Sequence, residues 1–259
     1  MKDIQNLKDN RNVDIQKVGI KHLELPLIIQ RKNSSNQVVC AKAKVSVSLP
    51  RDYKGTHMSR FVEVLTEWQH KNLLGVDIKG CLEKIIHNLD AQSGELEFKF
   101  PYFIDKKSPV KGMVAPMSYH CSFKGRIEND EYKFILGVEV PVTTLCPCSK
   151  EISDNGAHNQ RAFIKVKVSY DESEQVWIED LVDLIESCAS CPVYPLLKRE
   201  DEKYVTEKAW DNPKFVEDVL RDVVVKLRNH QIINEFDVEC EAFESIHNHS
   251  AWAFQHEVK

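Results

Sequence analysis

From Val39 to Leu49 the chain alternates without interruption, with Val39, Ala41, Ala43, Val45, Val47 and Leu49 on one side and Lys42, Lys44, Ser46 and Ser48 on the other. A period of two marks a strand with one buried face, and no helix buries such a set. The run from Val18 to Ile29 also reads as a strand. Then the period changes. Phe61, Val62, Leu65 and Trp68 fit one face of a helix, and Val76, Ile78, Cys81, Leu82, Ile85, Ile86 and Leu89 fit a second, with Gly75 marking the gap. Alternation resumes at Leu96, Phe98, Phe100 and Tyr102, and again between Met117 and Ile127.

The same order then recurs. Tyr132 to Val142 and Phe163 to Tyr170 read as strands, the latter with Ala162, Ile164, Val166 and Val168 alternating. Ile178, Leu181, Val182, Ile185 and Cys188 make one helical stripe. Phe215, Val216, Val219, Leu220, Val223, Val224 and Leu227 make a longer one, with Asn212-Pro213 expected at its cap and first turn. Phe236 to Phe243 and Ala251 to Val258 are two more strands. The pattern predicts an α+β protein of two ββααββ units, residues 17–128 and 129–259, behind a polar segment over residues 1–16. No low-complexity linker separates the halves, so they are expected to share a sheet or barrel.

Charge and composition exclude some functions. Against 35 Lys and Arg stand 40 Asp and Glu, which gives a net charge of -5 and no broad cationic surface for nucleic acid or membrane. No segment is apolar for long enough to span a bilayer, and Met1 to Asn12 lacks the apolar stretch of a signal peptide. A cytoplasmic location is expected, where the eight cysteines stay reduced.

The chemistry concentrates in Thr143-Thr144-Leu145-Cys146-Pro147-Cys148-Ser149-Lys150, with His158 ten residues beyond Cys148. A short turn between two strands can offer one thiolate to a cation and leave the other free, with an imidazole in reach. Thiolate and imidazole suit zinc and its neighbours in the transition series. No second ligand pair at zinc-ribbon spacing is obvious. Two buried, inert thiols explain this turn equally well. Cys188 and Cys191 form a C-x-x-C at the end of an apolar stripe, where a structural role carries more weight.

Five segments carry a resemblance: Gly55-Thr56-His57-Met58-Ser59-Arg60-Phe61, Pro141 to Lys150, Gly156-Ala157-His158-Asn159-Gln160-Arg161, Tyr194-Pro195-Leu196-Leu197-Lys198-Arg199, and Glu244-Ser245-Ile246-His247-Asn248-His249. Taken in order along nearly the whole chain, they resemble GTP cyclohydrolase I of the type IB class. The resemblance implies the tunnelling fold, with antiparallel sheets, paired helices and a barrel completed by oligomerisation, as a homotetramer. It also implies GTP as substrate, converted to 7,8-dihydroneopterin triphosphate and formate.

By the same resemblance Cys146, His158 and Glu200 hold a divalent transition metal. One thiolate, one imidazole and one carboxylate make a harder site than two thiolates, which widens the choice from zinc to manganese or iron. Glu200 directly follows Lys198-Arg199 and precedes Asp201-Glu202, so Glu202 is the alternative carboxylate. Cys148 is the free catalytic thiol and His247, rather than His249, the proton shuttle or labile ligand. The two histidines, two apart, are expected on one side of a strand. Glu217 is the carboxylate that anchors the guanine edge, and His57, Arg60, Arg161, Lys198 and Arg199, with Lys54 nearby, are the basic residues for the triphosphate.

Each has a plainer reading: a loop histidine, an acidic solvated face, a first-turn acid favoured by the helix dipole, a surface ion pair. Two other functions fit the same cysteines. Cys148 could act without metal as a nucleophile on a pteridine or deazapurine, as in nitrile reductases of this fold. Alternatively, Cys146, Cys148, Cys188 and Cys191 could form a four-thiolate structural zinc site in a non-enzymatic protein.

Overall fold

The computed structural model describes Gln5 and residues 7–259, so part of the expected polar segment lies outside the described residues. The elements run β1 (Ile15–Gln30), β2 (Asn36–Leu49), α1 (Met58–Trp68), β3 (Asn72–Leu73), α2 (Asp77–Asn88), β4 (Gly94–Lys107), β5 (Val114–Glu128), β6 (Glu131–Leu145), α3 (Pro147–Ile152), β7 (Asn159–Tyr170), α4 (Ile178–Glu186), β8 (Cys191–Pro192), α5 (Arg199–Asp211), α6 (Val216–Arg228), β9 (Ile233–Ala242) and β10 (Ala251–Val258). The hydrogen-bonded strand order is β10-β9-β7-β6-β5-β4-β2-β1-β3, with β8 paired to β6 off that path. Among the described residues two compact units emerge, one running to residue 101 and over 122–136, the other over 102–121 and 137–259.

In the first unit β2 buries the alternating set read from its sequence, Val39 through Leu49. It pairs antiparallel with β1 on one side and β4 on the other. Long β1 keeps register only by slipping between Ile15 and Val18 and between Ile20 and Leu23. At the second slip His22 adopts φ 62°, a conformation that histidine tolerates better than most residues. Gly19 lies so close to β2 that a Cβ there would sit 2.0 Å from the Val45 carbonyl oxygen, which explains glycine in mid-strand.

Helix α1 buries Phe61, Val64 and Leu65, whereas Val62 is 39% exposed. The stripe read as Phe61, Val62, Leu65 is thus corrected to the i, i+3, i+4 set, because 100° per residue carries position 62 off the buried face. Helix α2 buries Ile78, Cys81, Leu82 and Ile85 of its expected stripe, whereas Val76 stands before the helix as its N-cap and is 46% exposed. Each such fully buried side chain stabilises the fold by about 1.5–3 kcal/mol.

In the second unit β9 lies between β7 and β10 in antiparallel register. Helix α4 buries Ile178, Leu181, Val182 and Ile185 as expected. Helix α6 starts later than the sequence suggested. Asn212 instead caps α5 and donates through Nδ2 to the carbonyls of Ala189 (2.9 Å) and Ser190 (3.3 Å). The first turn of α6 is secured by Asp218, whose Oδ2 accepts from the Phe215 N–H at 3.1 Å.

Helix α5 has no counterpart in the sequence reading, since it buries only Asp201 and Ala209 and so lacks an apolar stripe. Its stability comes from its ends. Glu200, Asp201 and Glu202 crowd the first turn, where the dipole favours carboxylates. Asp201 accepts from the Lys198 N–H at 3.0 Å and, through Oδ1, from the Val110 and Lys111 N–H groups at 2.8 and 2.9 Å. Burial works to raise the Asp201 carboxyl, but hydrogen bonds from Lys111, Lys198, Val110 and Ser108 prevail and hold it at about 2.

A folded-state value below the ordinary 3.8 means that this stabilisation is complete above that pH and is lost as pH falls towards 2. Asp201→Ala is therefore expected to lower the melting temperature by several degrees at neutral pH and to flatten the acid limb of stability. Thermal melts between pH 2 and 7 test this, and an unchanged acid limb would remove Asp201 as the anchor of α5.

Candidate active site

Strand β6 ends at Leu145, and Cys146 turns the chain into α3. Cys146 is the N-cap of α3, with extended φ and ψ of -68° and 117°, and Pro147 occupies the first helical position. Proline suits that place because its missing N–H needs no partner there. The Cys146 Sγ accepts from the Ser149 N–H at 3.4 Å. The turn between two strands expected from the sequence is thus a six-residue helix, since one sulfur cap and one proline suffice to start it.

His158, just before β7, is stitched to this turn at both ends of its backbone. Its carbonyl accepts from the Cys146 N–H at 3.1 Å, and its own N–H donates to Ser149 Oγ at 3.2 Å. The Cys146 thiol is half-buried, whereas Cys148, on α3, is exposed. Lys150 ties α3 to the end of α5, donating to the Trp210 carbonyl with its ammonium 4.6 Å above the Trp210 ring. A cavity of about 560 Å³ opens beside this turn, lined among others by Thr143, Leu145, Gly156, Arg161, Tyr194 and Trp210. One cavity wall is braced from below. Half-buried Lys106 and buried Tyr119 both donate to Glu186, and the Lys106 ammonium lies 4.7 Å from the Tyr194 ring centroid. Burial lowers the Lys106 pKa against the opposing pull of Glu186, and raises that of the Tyr194 phenol to about 12.

The ring of His158 meets two side chains that sequence reasoning missed. Gln160 Oε1 lies 3.0 Å from His158 Nδ1, and Glu244 Oε2 lies 3.7 Å from the same nitrogen. Gln160 Nε2 donates to Thr144 Oγ1 at 3.1 Å and to Glu244 Oε1 at 3.2 Å. Gln160 faces inward on β7 by strand alternation, a signal available in the sequence. Glu244 follows β9, and only folding brings it here.

Other expected residues fall elsewhere. Glu200 sits in the first turn of α5, exposed and paired with Lys111 at 2.7 Å, and Lys111 holds its carboxyl below the usual range. Lys198 and Arg199 are exposed at the start of that helix, and Glu202 follows in its first turn. Among the described residues, no three Cys, His, Asp or Glu side chains converge as a ready metal site. Cys146 and His158 nonetheless fit a borderline cation. The sulfur is held but accessible, and the imidazole is engaged at Nδ1 with Nε2 at its other end.

His247 and His249 are not on a strand but in the loop between β9 and β10. They still face one side, with rings stacked 5.1 Å apart. Glu217 is exposed in the first turn of α6. The linker before it reaches the site, because the Lys214 N–H donates to the Leu145 carbonyl at 3.0 Å. In the first unit His57 caps α1, and Arg60 donates to the Asn88 carbonyl at 2.8 Å. Both line a separate cavity of about 230 Å³ that extends to Ser48 and Asp90. Cys188 and Cys191 are each 1% exposed, and burial raises both thiols, so they are packing groups rather than partners of Cys146 and Cys148.

A family model described as type I GTP cyclohydrolase folE2 matches residues 1–253. The chain is 51% identical to GTP cyclohydrolase FolE2 of Geotalea uraniireducens over 253 residues, covering 98% of this chain and 92% of the relative. It is 50% identical to GTP cyclohydrolase FolE2 of Thermosipho africanus, covering 98% and 96%. Among solved structures it is similar to uricase from Arthrobacter globiformis, with TM-score 0.54 at 8% identity, covering 94% of this chain and 93% of that one. A likeness at so low an identity is one of fold, and the fold is the tunnelling fold.

Proposed function

The chain belongs to the type I GTP cyclohydrolase family, and on that footing we propose that it hydrolyses GTP at C8, opens the imidazole ring, and recloses the product as 7,8-dihydroneopterin triphosphate. Two water molecules supply the two oxygens that leave with C8 as formate, and one water is returned when the ribose-derived carbonyl condenses with the freed amine to close the new ring. The product serves folate and pterin synthesis, and the reaction runs in the cytoplasm.

Cys146, His158 and Glu200 would hold a divalent transition metal, whether zinc, manganese or iron. Bound there, the cation supplies Lewis acidity to the hydrolysis. To join that set, Glu200 exchanges its exposed pair with Lys111, a contact worth little in water.

The remaining work falls to the chain's own groups. Cys148, exposed two residues beyond Cys146, takes and returns a proton as the C8–N9 bond breaks, with His247 as the second proton carrier. The Glu217 carboxylate accepts the adjacent N–H groups of the guanine edge, a charge-assisted pairing. His57, Arg60, Arg161, Lys198 and Arg199 supply cationic contacts for the triphosphate. A homotetramer completes the barrel and carries its sites at subunit interfaces.

The observation that carries this reading is the Cys146 turn stitched to His158 beside a cavity large enough for a nucleobase. Purified protein incubated with GTP and each metal in turn is expected to yield fluorescent neopterin after oxidation and dephosphorylation. No pterin with zinc, manganese or iron would refute the proposal. Activity that survives complete chelation would point instead to metal-free chemistry at Cys148.

A further inference from the structure

We propose that Gln160 is a positioning residue that locks His158 in the tautomer with hydrogen on Nδ1, so that Nε2 presents its lone pair to a cation. The inference rests on the assignment of His158 as a metal ligand in the preceding section. It starts from Glu244. A carboxylate only accepts hydrogen bonds, so the Gln160 atom 3.2 Å from Glu244 Oε1 must be the amide NH₂. That same NH₂ reaches Thr144 Oγ1 at 3.1 Å. The amide therefore has no freedom to flip, and its oxygen faces His158 Nδ1 at 3.0 Å. An amide oxygen also only accepts, so the hydrogen must lie on Nδ1. Glu244 Oε2, 3.7 Å from this nitrogen, is a second acceptor on the same side.

A neutral imidazole carries one N–H, which leaves Nε2 unprotonated. Bonds to Cys146 and Ser149 hold the His158 backbone, and the side chain is only 13% exposed. Water therefore competes poorly for Nδ1. Without Gln160 only Glu244, at 3.7 Å, remains to hold the hydrogen on Nδ1, so part of the population carries it on Nε2, where it blocks coordination. Outer partners of this kind hold a ligand's tautomer and orientation, and their loss costs roughly 10- to 100-fold in metal affinity.

The test uses Gln160→Leu, which keeps the volume and removes the amide. In metal-free protein with ¹⁵N-labelled histidine, wild-type His158 is expected to show the Nδ1–H form alone, and the variant a mixture with Nε2–H. Competition with a chromophoric chelator should show zinc binding weakened about 10- to 100-fold in a variant that still melts cooperatively. Unchanged tautomer and zinc affinity in the variant would overturn the role. An Nε2–H form in the wild type would overturn it as well, and that spectrum decides the matter even if the variant fails to fold. A wild type with the Nδ1–H form that takes up no zinc sinks the metal assignment while leaving the tautomer lock in place.

Discussion

Cys148→Ala is expected to retain a full complement of metal while GTP turnover falls by about two to four orders of magnitude, the range attributed to a positioned proton carrier. The two thiols of the motif occupy different surroundings. Cys146 is half-buried and its sulfur caps α3, whereas Cys148 is exposed on that helix. Removing an exposed thiol leaves little cavity and breaks no cap, so the melting temperature should hardly move. A loss of activity would then be chemical in origin. Neopterin formation, metal content and thermal melting, measured on one preparation, separate the possibilities. Retained turnover would exclude Cys148 from the reaction, and loss of metal along with activity would make it a ligand.

Cys146→Ala should abolish both metal uptake and turnover. A direct thiolate ligand should cost more than the 10- to 100-fold in affinity assigned to an outer partner. The substitution also removes the acceptor for the Ser149 N–H, and loss of an N-cap costs about 0.5–2 kcal/mol. Cys146→Ser distinguishes the two effects, because serine is a good N-cap but a harder donor than sulfur. The serine variant should melt like the wild type while binding zinc much more weakly. Equal zinc affinity in wild type and Cys146→Ser would dismiss the sulfur as a ligand and leave it only the capping role.

The legible parts of the chain were those where one period ran long enough to be unambiguous. The alternation of β2, the stripe of α4 and that of α2 from Ile78 to Ile85 translated directly into buried faces. Misreadings occurred where the period was locally degenerate. Val62 and Val64 both flank the α1 stripe, and only packing selects Val64. Helix α5 buries almost nothing apolar, so hydrophobic pattern could not reveal it, although its acidic first turn was a usable signal. At Asn212-Pro213 a good helix-start dipeptide served instead to end α5, because Asn212 found carbonyl partners at Ala189 and Ser190.

The candidate site divides the same way. The sequence alone determined the long strands, the helices with apolar stripes, and the Cys146 turn with His158 close to it in the chain. These are local properties, set by side-chain period, spacing and composition. Tertiary structure alone decided that Glu244 reaches Gln160 and His158, that Glu200 is engaged by Lys111, and that Asp201 anchors α5 to the β4–β5 loop. Those partners lie up to 91 residues apart. Hydrogen bonds and ion pairs across such distances leave no periodic trace in the chain, because they depend on which strands register side by side.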